Sequence, residues 1–259
     1  MKKFRLAIIF TLLLTFGLVS FANAAVVNKQ DNNVQWLGHS ATLITTEKGL
    51  DVFIDPWITD NPKCPVTKEN INPDLILVTH NHFDHMGTDV PYFVEKNPNC
   101  IVVVHNDVVS ALNEMGITEK NIVSYGMGLN YGGQAELEGI KITMVQAIHN
   151  PSAAGYIIEL EDGTTIYHAG DTGIFAGMEL LGNLYDIDLA LLPTGSTFVM
   201  NPFQAAHSLK LLKPKKVIPI HYGTFEVLVQ DATEFVKLSK KIAPNVKIEV
   251  LKPGGSLRL

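Results

Sequence analysis

Short apolar runs rich in β-branched residues, separated by turn residues, recur along the chain after about residue 30. The first half contains VQWL, ATLIT, DVFID, LILVT and IVVV, and the second half contains IKITMVQAI, GYIIEL, TTIYH, LALLP, KVIPI and KIEVL. Runs of this length and composition are typical of β-strands that pack on a core. The Glu161-Asp162-Gly163 turn between GYIIEL and TTIYH predicts a hairpin.

Three longer stretches lie between these strands and predict helices, over residues 107–115, 202–212 and 225–241. Pro202 directly follows Asn201, an arrangement that suits a first helical turn. No repeat, low-complexity tract or Pro-rich linker divides the sequence beyond residue 24. Both halves therefore predict one α/β domain in which helices cover two packed sheets, a four-layer αββα sandwich.

The first 24 residues have the pattern of a secretory signal peptide. Lys2, Lys3 and Arg5 precede an apolar run, and Ala22-Asn23-Ala24 forms a cleavage site of the A-x-A type. We therefore expect a periplasmic or secreted protein that consists of residues 25–259. The alternative is a membrane anchor that is retained, but the A-x-A triplet favours cleavage. No later segment is long and apolar enough to span a bilayer.

Charge argues against a polyanionic partner. Removing the leader takes away three of the 20 Lys and Arg and none of the 26 Asp and Glu, which leaves 17 against 26 and a net charge of −9. Nucleic acid is therefore excluded as a partner, and a small-molecule substrate is expected. The one basic cluster, at residues 210–216, precedes the strand that ends before His221. Five strand residues at about 3.3 Å each place the cluster about 17 Å from His221, at the other end of the strand, and we interpret it as a solvated helix end.

The two cysteines, Cys64 and Cys100, leave their redox state open. An oxidising compartment permits a disulfide between them, and two unpaired thiols are equally consistent with the sequence.

The segment LILVTHNHFDHMG contains an H-x-H-x-D-H cluster directly after an apolar strand. His80 and His82 are two residues apart and point the same way in an extended segment, and a bend then brings Asp84 and His85 to a neighbouring position. Buried polar groups at such density need partners. Further polar residues follow other apolar strands in the same manner: His149, Asp171 and His221.

Imidazole and carboxylate groups together suit Zn²⁺, and also Fe or Mn. Three neutral imidazoles fill one tetrahedral site and leave a fourth position for water, and a carboxylate can bridge two metals.

His105 ends a strand with no other candidate ligand nearby, and His207 lies in an amphipathic helical stretch, so both are assigned structural roles.

The pieces WLGHSATLI, FIDPWITDNP, LILVTHNHFDHMG, IYHAGDTGIF, DLALLP and VIPIHYGTF carry a resemblance to a known family. Together they resemble the metallo-β-lactamase superfamily, and within it the small metal-dependent hydrolase branch related to ascorbate-6-phosphate lactonase. The likeness covers nearly all of residues 25–259. It implies an αββα sandwich with the metal site at one edge of the sheets.

The resemblance implies two metal ions with seven ligands: His80, His82 and His149 for the first, Asp84, His85 and His221 for the second, and Asp171 between them. Asp55 in IDPW matches a residue that supports the ligands without binding metal, and His168 is expected to pack behind Asp171.

Two positions are candidates for substrate contact. Relatives in this branch commonly read GGHFTMG after DLALLP, where this chain reads GSTFVMN, so that Thr197 occupies the position of their His. His39 in GHSATLI lies at a turn between two strands, where it either contacts substrate or caps the turn through a hydrogen bond.

The expected function is an exported hydrolase in which a hydroxide held between two divalent cations attacks an ester, lactone or phosphoester. Zn²⁺ is the first choice and Mn²⁺ or Fe²⁺ also fit. Asp84 is the candidate that carries a proton to the leaving group.

A secreted β-lactamase is an alternative, but such enzymes typically lack an acidic bridging ligand, and several use a Cys ligand. A non-catalytic metal-binding protein is a further alternative. It is disfavoured because all seven ligand positions are filled, whereas degenerate relatives usually lose ligands.

Overall fold

The structure is a computed structural model that describes residues 31–150 and 152–259. The predicted leader, residues 1–24, lies outside the described residues. Within the described ranges, every helix is too short or too polar to cross a bilayer.

The strands alternate with short helices along the chain. The strands are β1 (Asn33–Trp36), β2 (Thr42–Thr45), β3 (Asp51–Ile54), β4 (Leu75–Leu77), β5 (Ile101–Val103), β6 (Gln134–Leu137), β7 (Ile140–Gln146), β8 (Ala154–Glu159), β9 (Thr165–His168), β10 (Leu189–Pro193), β11 (Lys216–Ile220), β12 (Lys247–Ile248) and β13 (Ser256–Arg258). The α-helices are α1 (Val90–Lys96), α2 (Val109–Glu114), α3 (Gly177–Leu184), α4 (Pro202–Leu212) and α5 (Thr233–Ile242).

These strands form two mixed sheets. The first has the order β13-β1-β2-β3-β4-β5 and the second the order β12-β11-β10-β9-β8-β7-β6. Strands β3, β4 and β5 run parallel, and so do β9, β10, β11 and β12, whereas the remaining pairs are antiparallel. The carboxyl ends of neighbouring parallel strands meet at one edge of each sheet. The carboxyl ends of β9 and β11 therefore lie at one edge of the second sheet, and the packing of the two sheets brings the loop after β4 to the same place.

The alternation along each strand produces the layers. In β3, Val52 and Ile54 point into the core between the two sheets, where they meet Tyr156 of β8. The intervening Phe53 points outward onto Phe93 of α1, with ring centroids 5.5 Å apart. On the far side, helices α3, α4 and α5 cover the second sheet in the same way. This arrangement confirms the predicted αββα sandwich, because a sheet must bury both faces against other layers.

Backbone hydrogen bonds join the two sheets where the site lies. The amide of His221, after β11, donates to the carbonyl of His39 at 2.9 Å, and the amide of Ala154 donates to the carbonyl of Thr79 at 2.9 Å. The buried Tyr156 hydroxyl also donates to the Val78 carbonyl at 2.7 Å. These contacts tie the strand ends of both sheets together.

The predicted helix over 202–212 is confirmed residue for residue as α4. Asn201 caps it by accepting the Gln204 amide at 2.9 Å, while the Gln204 side chain accepts the Asn201 amide. This reciprocal pair satisfies two backbone donors at the helix start. The helix predicted over 107–115 begins as a 3-10 turn and continues as α2.

The helix predicted over 225–241 is wrong in its first half, because α5 begins only at Thr233. Gln230 donates its side-chain amide to the carbonyls of Phe225 and Leu228, at 2.9 and 2.6 Å. These side-chain hydrogen bonds replace helical ones and hold the segment as a loop.

Helices α1 and α3 and strands β6 and β13 were not predicted, and the run KIEVL forms a strand only over Lys247–Ile248.

Both cysteines are free thiols, Cys100 buried and Cys64 partly exposed. Burial raises the pKa of Cys100 to about 12, which makes it an inert packing residue.

In the basic cluster, Lys215 forms ion pairs with Asp186 and Asp188 at 2.8 Å each, at the amino end of β11.

Candidate metal centre

The structure brings all seven predicted ligands to one edge of the sheets. His80 follows β4, His149 follows β7, Asp171 follows β9 and His221 follows β11. Their donor atoms fall into overlapping groups in which every atom lies within 4.8 Å of the others: His80, His82 and His149; His80, His85 and Asp171; and His39, Asp84, His85 and His221.

The first group has three imidazoles that converge on one point. His82 Nδ1 lies 2.9 Å from His80 Nε2 and 3.4 Å from His149 Nε2. Tetrahedral Zn²⁺ with bonds of about 2.05 Å would separate such nitrogens by about 3.3 Å. The three nitrogens could therefore hold one cation.

Asp171 lies between this group and the second one. Its Oδ2 atom is 3.1 Å from His221 Nε2, 3.3 Å from His85 Nε2 and 3.7 Å from His149 Nε2. The two short contacts lack hydrogen-bond geometry, which leaves His85 Nε2 and His221 Nε2 buried without hydrogen-bond partners, and the other oxygen of Asp171, Oδ1, is buried without one as well. Buried polar atoms without partners are costly, and a bound cation would satisfy all three. The residues present therefore fit a metal.

Asp55 supports this centre from below. It is fully buried and accepts four hydrogen bonds, from the Thr79 amide, the Thr79 and Ser40 hydroxyls and His85 Nδ1, at 2.7 to 2.8 Å. Burial opposes ionisation, but the nearby His85 outweighs it and holds the pKa of Asp55 well below its usual range. Burial likewise opposes protonation of His85, and Asp171 and Asp55 nevertheless raise its pKa. Asp55 thus orients His85 with Nε2 facing the centre.

Hydrogen bonds at the outer nitrogens set the tautomers of His80 and His149. His80 Nδ1 lies 3.0 Å from the Thr79 hydroxyl, and His149 Nδ1 lies 3.1 Å from the Phe198 carbonyl. Donation at Nδ1 leaves the Nε2 lone pair for a metal. Burial, followed by the charge of His85, lowers the pKa of His80 to about 2 and keeps its imidazole neutral, the form that binds metal.

His82 is turned the other way, with Nδ1 toward the centre. Its Nε2 atom lies 3.4 Å from the side-chain amide of Asn150. The atom that faces His82 is Asn150 Nδ2, and Asn150 Oδ1 is buried without a hydrogen-bond partner. When Nδ1 of His82 binds a cation the proton resides on Nε2, and a 180° turn of the Asn150 amide would present its oxygen as the acceptor for that proton. Asn150 was not predicted from the sequence, although its position directly after His149 is a usable signal.

His39 is fully buried beneath the centre and does not line the cavity. Its Nε2 lies 3.1 Å from Asp84 Oδ2, its Nδ1 lies 3.1 Å from the Thr224 hydroxyl, and its ring lies 3.8 Å from that of His221. Burial, then the charge of His221, lowers the pKa of His39 to about 4. His39 was a candidate for substrate contact, but its ring has no exposed surface. It instead contacts Asp84 and supports that side chain from the buried side.

The contact with His39 also polarises Asp84. Burial raises the pKa of this carboxyl, but the hydrogen bond from His39 and the charge of His85 lower it to about 2. Asp84 is therefore a carboxylate with one oxygen engaged by His39.

His168 lies behind the turn that presents Asp171. Its Nε2 is 3.3 Å from the Ser40 carbonyl, and its Nδ1 accepts the Gly170 amide at 3.2 Å. Gly170 has φ of +59°, and a Cβ at this position would lie 2.5 Å from the Ala154 carbonyl oxygen. Only glycine allows the turn to approach β8 so closely.

The two other histidines lie outside these groups. His105 accepts the Asp107 amide at 3.3 Å and caps a 3-10 turn, and the His207 ring lies 4.4 Å from that of Phe203 on α4.

A cavity of about 260 Å³ opens over the ligands, lined by His82, Phe83, Asp84, His149, Asp171, Phe198 and His221. Thr197 is exposed but does not line it, because its hydroxyl donates to the Val227 carbonyl at 3.0 Å. The neighbouring Phe198 takes that place. Sequence reasoning missed Phe83 and Phe198, although Phe83 stands inside the histidine motif.

The sandwich fold and the grouped imidazoles and carboxylates define a metal-dependent hydrolase of the metallo-β-lactamase type. Residues 51–222 match the family described as the β-lactamase superfamily domain, to which the chain therefore belongs. Within it the chain belongs with the UPF0173 metal-dependent hydrolases. It is 39% identical to such a protein of Methanobrevibacter smithii over 85% of this chain and 94% of that protein. It is 43% identical to one of Nitratidesulfovibrio vulgaris over 87% of this chain and 95% of that protein.

A solved structure shows the same fold. Igni18, described as a novel metallo hydrolase from Ignicoccus hospitalis, superposes with a TM-score of 0.78 at 33% identity, covering 89% of this chain and 99% of that chain. These similarities confirm the predicted superfamily, the fold and the enzyme class. The narrower likeness to ascorbate-6-phosphate lactonase stays a prediction.

Proposed function

We propose that this hydrolase holds two divalent cations and uses them to cleave a small ester, lactone or phosphoester. The observation that carries the proposal is the position of Asp171. Its Oδ2 lies 3.7 Å from His149 Nε2, which belongs to the first ligand group, and 3.1 Å from His221 Nε2, which belongs to the second. One carboxylate within reach of both groups is the arrangement that holds two cations a few ångströms apart.

His80, His82 and His149 would hold one cation, and Asp84, His85 and His221 the other. Bound divalent cations would lower the pKa of coordinated water to about 7 and polarise the carbonyl or phosphoryl oxygen of the substrate. An imidazole-rich donor set favours Zn²⁺ and also accepts Mn²⁺ or Fe²⁺.

The chain's own residues orient the ligands and handle the proton. Asp84 lines the cavity, and His39 engages only its Oδ2 atom. Burial raises the pKa of Asp84, but the hydrogen bond from His39 and the charge of His85 lower it to about 2, so this carboxylate is ionised at neutral pH. Asp84 would therefore take a proton from the attacking water before it passes that proton to the leaving group. Asp55 holds the Nδ1 side of His85 and Thr79 holds the Nδ1 side of His80, so that Nε2 of each ring faces the centre.

Metal analysis combined with turnover tests this function. The purified protein is expected to contain two ions per chain and to hydrolyse members of an ester, lactone and phosphoester panel. Asp171→Ala should lower both the metal content and turnover, whereas His207→Ala on α4 should change neither. Hydrolysis of a chromogenic β-lactam alone would support the β-lactamase alternative. Metal binding without turnover on any substrate would support the non-catalytic one.

We further propose that the enzyme acts in the periplasm or outside the cell. The support is the basic, apolar and A-x-A pattern over residues 1–24. Fractionation of a Gram-negative host expressing the full chain, with amino-terminal sequencing, is expected to recover a periplasmic protein that begins at Ala25. Cytoplasmic protein that retains Met1 would contradict export.

A further inference from the structure

The cavity over the ligands has an aromatic wall that the reaction itself does not require. Phe83 is 69% exposed and Phe198 is 55% exposed, and both line the cavity beside the ligands. An isolated exposed aromatic is ordinary, but two that face one cavity form an apolar surface of the kind that binding sites use.

The Phe83 side of this wall is held in place from behind. Phe83 meets the buried Trp57 edge-on, with ring centroids 5.9 Å apart, and Trp57 stacks on Phe225 at 6.1 Å. Phe225 in turn lies 5.5 Å from the ring of His39. The aromatic rings therefore form a continuous cluster from the buried support of Asp84 to the cavity mouth.

The loop that carries Trp57 is also fixed. The Trp57 amide donates to the Asp55 carbonyl at 2.8 Å, and the buried Asp89 carboxylate accepts the amides of Ile58 and Thr59 at 3.1 and 2.6 Å. The Phe83 side of the wall is thus supported before binding, and a side chain that is already held in place loses less conformational entropy when a ligand packs on it.

Apart from the two proposed cations, the described lining of the cavity offers no positively charged side chain to a phosphorylated substrate. Among the described residues that line it, none is Lys or Arg, and Asp84 and Asp171 both face it. Proteins that recognise phosphate usually present Arg, Lys or a row of backbone amides, which carry charge-assisted hydrogen bonds. A neutral ester or lactone does not need these groups.

We propose that the substrates are carboxylic esters or lactones with an apolar acyl group that packs between Phe83 and Phe198. This inference rests on the proposed function and names its substrate class. A cavity of about 260 Å³ has room for a short alkyl or single aryl group. In the reaction, water forms the new bond to the acyl carbon, the acyl carbon–oxygen bond breaks, and a proton from the water passes to the departing alkoxide.

A series of 4-nitrophenyl esters tests the proposal, with acetate, butyrate and hexanoate as acyl groups and 4-nitrophenyl phosphate as the charged comparison. We expect kcat/KM to rise about fourfold for each acyl methylene that becomes buried, and the phosphate to be the poorest substrate. Phe83→Ser and Phe198→Ser should each reduce the butyrate-to-acetate ratio severalfold. Phe203→Ser is the matched control, because Phe203 is also 55% exposed but lies on α4 outside the cavity lining.

A binding measurement separates the wall from the metals. Hexananilide should bind the metal-free protein more tightly than acetanilide in calorimetry, and Phe83→Ser should reduce that difference while Phe203→Ser should not. Equal kcat/KM for all acyl lengths, or a preference for the phosphate, would overturn the apolar substrate class and leave the hydrolase function standing. No turnover of any ester or phosphoester would instead overturn the proposed function.

Discussion

His39 Nε2 lies 3.1 Å from Asp84 Oδ2, although the two residues are 45 positions apart in the chain. The contact joins the turn before β2 to the histidine motif, and the Thr224 hydroxyl holds the other side of the His39 ring. Because one oxygen of Asp84 is fixed in this way, the orientation of the whole carboxylate is set by a residue outside the motif.

Replacing His39 should therefore impair turnover through Asp84. His39→Ala is expected to lower kcat by about 10–100-fold with a smaller change in KM, since supporting partners of a ligand typically contribute that much. His39→Gln should recover part of the loss, because its amide still donates a hydrogen bond. Steady-state kinetics with metal analysis of each variant would check this. Wild-type kcat in His39→Ala would contradict a positioning role.

Asn150 is expected to support metal binding through His82, from which it lies 3.4 Å away. Asn150→Leu removes the acceptor for the His82 Nε2 proton and should weaken metal affinity about tenfold. Asn150→Asp keeps an acceptor and should bind at least as tightly as the wild type. Titration against a chelator of known affinity measures both. Unchanged affinity in Asn150→Leu would show that His82 needs no such partner.

Asp89 should make loop stability depend on pH. Burial opposes ionisation of Asp89, but hydrogen bonds from Thr59 and Lys68 outweigh it and lower the pKa of this carboxyl. A depressed pKa means that the stabilisation is present above the unfolded value of about 3.9 and is lost as pH falls through the lower folded value. Asp89→Asn should therefore cost about 3 kcal/mol at neutral pH.

Urea unfolding at pH 7 and at a pH below the lowered folded pKa of Asp89 checks this prediction. The free energies of unfolding of wild type and Asp89→Asn should converge in acid, because the wild-type carboxylate then becomes protonated. A difference that is constant across the pH range would mean that shape, and not charge, explains the loss.

Gly170 should tolerate no side chain. Gly170→Ala forces a Cβ to 2.5 Å from the Ala154 carbonyl oxygen at a φ of +59°. Gly163→Ala is the matched control, because Gly163 has φ of +89° with no atom within 4 Å of the added Cβ. Gly163→Ala should cost about 1 kcal/mol from backbone strain alone. Gly170→Ala should cost clearly more, as a lower melting temperature, and equal losses would exclude the steric clash.

Much of the metal centre was predictable because its ligands follow apolar strands. Parallel strands end at one edge of a sheet, so Asp171 and His221 had to approach each other once β9 and β11 were recognised, whereas the approach of His80 also required the two sheets to pack together. The helix over 202–212 was predictable for a similar local reason, since its cap and its apolar face lie within a few residues. The false start of the helix over 225–241 arose from Gln230, whose side-chain hydrogen bonds compete with the helix.

The sequence by itself determined the layered fold, the superfamily and the seven candidate ligands, because alternation and motif spacing are local properties that survive in a linear string. Only the tertiary structure decided that His39 lies under Asp84, that Thr197 lies off the cavity wall and that Phe83 and Phe198 form that wall. These facts depend on which loops meet in space and on how burial orients each side chain, and neither is encoded in the spacing of residues along the chain.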